Sequence, residues 1–190
     1  GEALQSVIRQ ANRIAGIVRD LMQFARPPRP DPHRVAAAEL AAAVGDELAA
    51  LATEKGARID ITPVPTDVYV WCDRNQVKNA LAALVRNGIE AAGRDGWVRL
   101  SAAACDDDTV AFGVEDSGPG LNETALEHAF DPFFCGRPAG RGRGLGLPTA
   151  WQLARQNGGD VRHEPAGGAT RFTVIVPRSI TLEFRDRQSA

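Results

Sequence analysis

The sequence predicts an α+β sandwich: a two-layer fold whose mixed, mostly antiparallel sheet carries helices on one face, preceded by one long bundle-type helix. Three observations predict it. The first 26 residues keep an apolar stripe at helical spacing. Two further long helical patterns follow, interleaved with short runs that alternate like strands. The elements fall in the order αβ, βα, ββ, α, ββ, which gives one mixed, mostly antiparallel sheet covered by helices on a single face.

The opening segment is "EALQSVIRQANRIAGIVRDLMQFARPPRP". Leu4, Val7, Ala11, Ile14, Val18, Leu21 and Ala25 recur at steps of three and four, a heptad seam held for more than three heptads. Ile8, Ala15 and Met22 widen the seam, as a bundle helix requires. Arg9, Arg13, Arg19 and Asp20 occupy the other face. Pro27, Pro28, Pro30 and Pro32 stop the helix and make a stiff linker. So wide an apolar face calls for a partner helix, from another chain or from a segment upstream of Gly1.

Next, "AAAELAAAVGDELAALATEKG" reads as a helix with Leu40, Val44, Leu48 and Leu51 on one face and Gly56 as its stop. "ARIDITP" and "DVYVWC" alternate like strands. Asp73 caps a second helix that ends at Gly93. "WVRLSAAA" and "TVAFGVED" form a hairpin around the acidic turn Asp106–Asp108. "LPTAWQLARQNGG" is a helix opened by a glycine cluster, and "DVRHEP" with "ATRFTVIVP" closes the sheet. The tail from Arg178 is charged, and "ITLEF" within it reads either as an edge strand or as nothing regular.

Composition narrows the function. The 190 residues suffice for one domain plus an appendage, and 44% apolar residues suffice for a core. A net charge of −2 gives no electrostatic reason to expect nucleic acid. No apolar run approaches the roughly 20 residues of a membrane span, and no signal peptide opens the chain. Cys72, Cys105 and Cys135 lack metal-like spacing and read as reduced thiols in a cytoplasmic setting.

Two glycine clusters differ in grammar. Asp116-Ser117-Gly118-Pro119-Gly120 follows a strand end. Its glycines allow positive φ and close approach to a flat ligand, and the acceptor-only Asp116 suits an exocyclic amino group. An ordinary turn accounts for the same pentapeptide equally well. The second cluster places Gly142, Gly144 and Gly146 at a helix start, where free N–H groups and the dipole attract phosphate. No Gly-Lys-Ser/Thr follows, so it is not a Walker loop. On the helix from Asp73, Asn79, Ala83, Asn87 and Ala91 share one face. Asn87 offers the neutral oxygen that a partly hydrated Mg²⁺ accepts.

"LVRNGIEAA", "VEDSGPGL", "AFDPFF", "GRGLGL" and "GGAT" follow one another in the order and approximate spacing of the ATP-binding domain of sensor histidine kinases. The stretch Val35 to Pro177 resembles that domain and the wider fold shared with DNA gyrase, Hsp90 and MutL. "RIAGIVRDLMQFARPPRP" resembles the second helix of the kinase dimerisation hairpin, of the nitrogen-regulator sensor type. The resemblance therefore implies residues 1–30 as part of that hairpin with its linker and residues 31–190 as the ATP-binding domain.

The resemblance also implies roles. Asn87 is the Mg²⁺ ligand, and Asp116 accepts the adenine amino group, supported through water by Thr170. Gly118 and Gly120 form the turn that admits adenine. Phe133 and Phe134 latch a lid over the site. Arg137 stands where relatives carry a phosphate-facing lysine. Gly142, Gly144, Leu145 and Gly146 cradle phosphate. Implied partners are ATP or ADP, a response-regulator receiver domain, and a second copy through residues 2–26, with no nucleic acid and no membrane contact by this stretch.

Three departures stand out. None of His33, His128 and His163 lies in the His-Glu/Asp context of a first hairpin helix, so this chain is not expected to phosphorylate itself. Ala83 replaces the family's Asn one turn before the Mg²⁺ ligand. Arg143 replaces the usual Thr between glycines, where its guanidinium either meets phosphate or sits on the surface. Two readings follow: the catalytic part of a histidine kinase, passing the γ-phosphoryl to a histidine and then to a regulator aspartate, or a nucleotide-binding adaptor acting by protein contact. The segment from about Cys135 to Arg143 is expected to be mobile without nucleotide, because it has little to bury.

Overall fold

The structure is a computed structural model that describes residues 2–25, 27–134, 144–166 and 169–178. Cys135, Arg137, Gly142 and Arg143, the expected mobile segment, and the "ITLEF" tail all lie outside the described residues.

A long helix, α1 (Glu2–Ala25), precedes the domain. The domain runs β1 (His33–Ala36), α2 (Ala37–Lys55), β2 (Arg58–Ile61), β3 (Tyr69–Cys72) and α3 (Arg74–Ala92). It continues with β4 (Trp97–Ala104), β5 (Thr109–Asp116), α4 (Glu123–Glu127), α5 (Gly146–Gln156), β6 (Asp160–Ala166) and β7 (Ala169–Pro177). Five strands form one sheet in the order β2-β4-β5-β7-β6, with β2 parallel to β4 and every other pair antiparallel. This is the predicted mixed sheet with helices on one face.

The ends of the helices follow from the sequence. Asp73 Oδ1 accepts the N–H groups of Asn75 (2.9 Å) and Gln76 (3.0 Å), satisfying two donors that α3 leaves open. Gly56 ends α2 in the left-handed conformation, φ 69°. The β4–β5 turn is held by Asp106, whose carboxylate accepts from Asp108 N, Thr109 N and Thr109 Oγ1. Those bonds, the Thr109 hydroxyl first, hold its pKa below the ordinary carboxylate value.

Register aligns the core. Leu100, Val114 and Phe172 lie in one row across β4, β5 and β7; Ala102, Phe112 and Val174 lie in the next. Onto these pack Leu40, Val44 and Leu48 of α2 and Val77, Leu81, Leu84, Val85 and Ile89 of α3, all buried. Each such side chain contributes about 1.5–3 kcal/mol by leaving water. The alanines between them keep the helices close to the sheet. Among the described residues no helix covers the opposite face, and register places Asp60, Arg99, Glu115, Arg171 and Glu164 in one row across all five strands. Alternating charge makes that face a solvated surface, with Arg171 3.5 Å from Glu164.

Two details differ from the sequence reading. "DVYVWC" does not join the main sheet: β3 pairs antiparallel with β1, Val35 opposite Val70, as a separate two-stranded sheet. The stretch His33–Ala36, between a proline run and an alanine run, carries too little alternation to announce a strand. The five-residue α4, capped by Asn122 Oδ1 on Ala125 N at 2.8 Å, is too short to show a helical period.

Cys72 is buried, and its thiol is pushed up to about 12, first by burial and then by the Asp73 charge, so it is unreactive; Cys105 is exposed. On β6, the His163 ring packs edge-on to Phe172 at 5.3 Å between centroids. Burial holds this imidazole below its ordinary pKa, with Glu164 opposing. The folded state therefore binds the proton less well than the unfolded chain. The stability that His163 contributes is present above the unfolded value of about 6.5 and is lost as pH falls from there through the lower folded value. The melting temperature is expected to drop more between pH 7.5 and 5.5 in the unmutated chain than in His163→Gln; equal drops would refute this.

Candidate functional site

The site is built where β5 meets α3. Asp116, the last residue of β5, is only 3% exposed. Its Oδ1 accepts the Gly118 N–H at 2.9 Å, closing the turn that follows. Ser117 ties this turn to β4: its N–H donates to the Trp97 carbonyl at 3.0 Å, and its Oγ accepts the Trp97 N–H at 2.9 Å. Across the sheet Asp116 stands beside Thr170 of β7, which is also buried.

Helix α3 crosses directly over this strand end. A Cβ on Gly88 would lie 3.2 Å from the Asp116 Cβ and from both Val98 methyls, so the bare glycine lets the helix approach. A Cβ on Gly118 would fall 2.6 Å from Asp116 Oδ1 and 2.9 Å from the Ala91 Cβ, so no side chain fits there. Gly120, at φ 81°, has open space around it. The face bearing Asn79, Ala83, Asn87 and Ala91 is half-buried along its length. It separates the core side of α3 from the exposed Arg86 and Glu90.

The second glycine cluster meets the same helix farther back. A Cβ on Gly146 would lie 3.9 Å from the Ala83 carbonyl oxygen. The two clusters thus touch α3 at Ala83 and Ala91, about 12 Å apart at 1.5 Å per helical residue. Leu145 is buried at 3% exposure and roots the loop. Helix α5 begins at Gly146 with no side-chain cap. The Gly146 and Leu147 N–H groups have no partner within the helix, Pro148 has none to offer, and the dipole adds positive potential there.

The "DPFF" segment is joined to this loop by backbone. Phe133 N–H donates to the Gly144 carbonyl at 2.8 Å. Phe133 holds φ 67° with its ring 64% exposed. The Phe134 ring lies 5.3 Å from that of His128, whose Nδ1 is 2.7 Å from Asp131 Oδ2. Phe130 supplies the deeper anchor, edge-on to Phe172 at 6.3 Å; the sequence reading missed it. Gly144 holds φ 63°, and a Cβ there would sit 2.5 Å from Phe133 C and Phe134 O. Gly144→Val therefore strains the backbone and drives the two segments apart, at an expected cost of about 2 kcal/mol or more. Urea denaturation measures it, and an unchanged midpoint counts against the clamp.

Among the described residues no group of three His, Cys, Asp or Glu side chains is placed to hold a metal, and no helix is long and apolar enough to cross a membrane.

A sheet with helices on one face, a buried acid behind a glycine turn, and a second glycine run opening a helix define a nucleotide-binding ATPase fold. The chain belongs to the histidine kinase-, DNA gyrase B- and HSP90-like ATPase family, whose model matches residues 72–180. Within that family it is similar to sensor histidine kinases. It is 34% identical over 181 residues to the "Probable sensor histidine kinase HK" of Mycobacterium tuberculosis (strain CDC 1551 / Oshkosh), covering 93% of this chain and 47% of that one. The chain thus spans about half the length of that relative. The nucleotide-free catalytic domain of histidine kinase ThkA superposes with a TM-score of 0.70 at 26% identity, over 78% of this chain and 96% of that one. ThkA in complex with response regulator protein TrrA shares the fold over 94% of this chain and 51% of its own, with a TM-score of 0.76 at 22% identity.

Proposed function

We propose that this chain is the ATP-binding catalytic part of a sensor histidine kinase. The observation that carries the reading is the pair of glycine clusters on one side of α3, with buried Asp116 at one end and the open start of α5 at the other. Asp116 accepts the adenine amino group, helped through water by Thr170, and Gly118 and Gly120 leave room for the ring. The N–H groups at Gly144, Leu145 and Gly146, with Gly142, receive phosphate oxygens. Arg137 and Arg143 add charge there, and Phe133 and Phe134 fix the lid.

The donor set fits magnesium. That ion keeps several waters and takes phosphate oxygens, so one protein oxygen, the Asn87 amide, is enough. When bound, the ion offsets phosphate charge. The chain's own task is positioning and charge neutralisation for γ-phosphoryl transfer to an imidazole, then to a regulator aspartate. His33, His128 and His163 stand on β1, after α4 and on β6, so α1 does not carry the acceptor. Residues 1–30 are read as the second hairpin helix, of nitrogen-regulator type, with its linker; residues 31–190 are the catalytic domain. Residues 2–26 pair two chains, a receiver domain is the downstream partner, and the site faces the cytoplasm.

Ala83 favours a second reading, a nucleotide-binding adaptor, because a methyl replaces an amide one turn from Asn87. Calorimetry with a non-hydrolysable ATP analogue and Mg²⁺, followed by labelled-phosphate transfer to a separately supplied histidine-bearing hairpin, decides between them. Binding with transfer supports the kinase. Binding without transfer supports the adaptor. No heat at millimolar analogue defeats both.

A further inference from the structure

None of the roles above uses Gln76 or Asn157, yet they are 4% and 2% exposed, among the most buried polar side chains described. Burying two amides is unfavourable unless their hydrogen bonds are made. Here they are made in a closed ring. The Asp73 N–H donates to Asn157 Oδ1 at 2.7 Å. Asn157 Nδ2 donates to Gln76 Oε1 at 2.9 Å, and the Gln76 N–H returns to Asp73 Oδ1 at 3.0 Å. Asn157 Nδ2 also donates to the Leu153 carbonyl at 2.8 Å, fastening the ring to the last turn of α5.

The ring joins the N-terminus of α3 to the C-terminus of α5. The far end of α5 is Gly146, which lies against Ala83 of α3. The two helices therefore run antiparallel, pinned at one end by the ring and meeting at the other across the candidate phosphate site. Because α5 is a rigid rod of 11 residues, a shift at the pinned end moves the Gly146 end relative to Asn87.

Besides its bonds to α3 and α5, the ring makes two to the linker after α1. Gln76 Nε2 donates to the Pro28 carbonyl at 2.8 Å, and the Asp31 N–H donates to Asp73 Oδ2 at 3.0 Å. When the linker lifts, Gln76 loses its acceptor and Asp73 loses a donor, and a buried amide left unpaired turns to find another partner. We propose that Gln76 and Asn157 are positioning residues for the nucleotide site, and that the ring they form with Asp73 reports the seating of the Pro28–Asp31 linker to the Asn87–Gly146 gap. The proposal rests on the nucleotide reading given above.

Asp31→Pro removes the linker N–H and leaves every catalytic candidate in place. Asp31 precedes Pro32, which disfavours the helical region there and biases it to the extended backbone that proline also adopts. Calorimetry on the full 190-residue chain with Mg²⁺ and a non-hydrolysable ATP analogue is run on Asp31→Pro, Asn157→Ala and the double variant. Each single change is expected to weaken binding by about fivefold or more, and the double no further than Asn157→Ala alone, because both act along one path. If Asn157→Ala does not fold, Gln76→Met replaces it: the thioether fills nearly the same volume but cannot donate to Pro28, and the affinity loss of Asp31→Pro is expected again. Unchanged affinity with a lowered melting temperature makes the ring a structural staple and overturns the proposal, as do additive losses. If the unmutated chain binds no nucleotide, the functional reading fails separately. The relay is then judged by amide exchange at Gly146 and Leu147 in Asp31→Pro, where unchanged rates overturn it.

Discussion

Asp116→Asn is expected to weaken binding of an ATP analogue by about 10- to 150-fold, the equivalent of losing one hydrogen bond to a charged group at about 1.5–3 kcal/mol. The direction follows from the geometry. Asp116 is 3% exposed, and its Oδ1 is committed to the Gly118 N–H at 2.9 Å. An asparagine keeps that bond only by turning its oxygen toward Gly118. Its NH₂ then points where the carboxylate offered an acceptor, and a donor meets the donor of the adenine amino group. The fold tolerates the change better than the site does, because the Gly118 bond is retained and the two side chains are nearly isosteric. A melting temperature within a few degrees of the unmutated chain, with affinity lost, is the expected pair of results. Undiminished affinity removes Asp116 as the base reader.

The parts of this molecule that were legible in the sequence are those written locally. Asp73 and Gly93 bracket α3 because a cap is a contact between near neighbours in the chain. The β4–β5 hairpin is announced by alternation and by an aspartate that bonds two and three residues ahead. The glycine clusters are legible because glycine marks positions that no other residue fits, as Gly118 and Gly144 show. What was not legible depends on partners far along the chain. Asn157 and Gln76 are 81 residues apart, and an amide at a helix end looks the same whether it meets solvent or a buried ring. Likewise β3 carries a strand pattern, but nothing in "DVYVWC" says that its partner is His33–Ala36 rather than the main sheet. Thr170 beside Asp116 was reached through family resemblance alone, since register between β5 and β7 is set by the core rows and not by the threonine.

The second large effect concerns α1. Six of its apolar side chains, Leu4, Val7, Ile8, Ile14, Leu21 and Met22, are between 41% and 65% exposed. They follow the three-and-four spacing of one helical face, which the contact of α1 with α5 leaves open. Fully burying one such side chain yields about 1.5–3 kcal/mol, and at half exposure about half of that remains to be gained. Six residues on each of two chains then supply about 9–18 kcal/mol, against an association cost of about 4–15 kcal/mol. The balance favours pairing at the concentrations of a solution experiment, although a two-helix contact buries less than a complete bundle would. Light scattering after size exclusion is expected to report a dimer for the unmutated chain. Ile14→Asp with Leu21→Asp places two charges in the seam of each helix and is expected to yield a monomer, because a carboxylate cannot be desolvated there without a partner. Nucleotide affinity is expected to stay within about twofold, since Ile14 and Leu21 lie upstream of the linker and the change leaves its Pro28 and Asp31 bonds in place. A monomer at high concentration in the unmutated chain ends the dimer-helix reading of residues 2–26. Loss of nucleotide binding in the double aspartate variant instead shows that the helix and the site are coupled, the direction in which the linker ring at Asp73, Gln76 and Asn157 points.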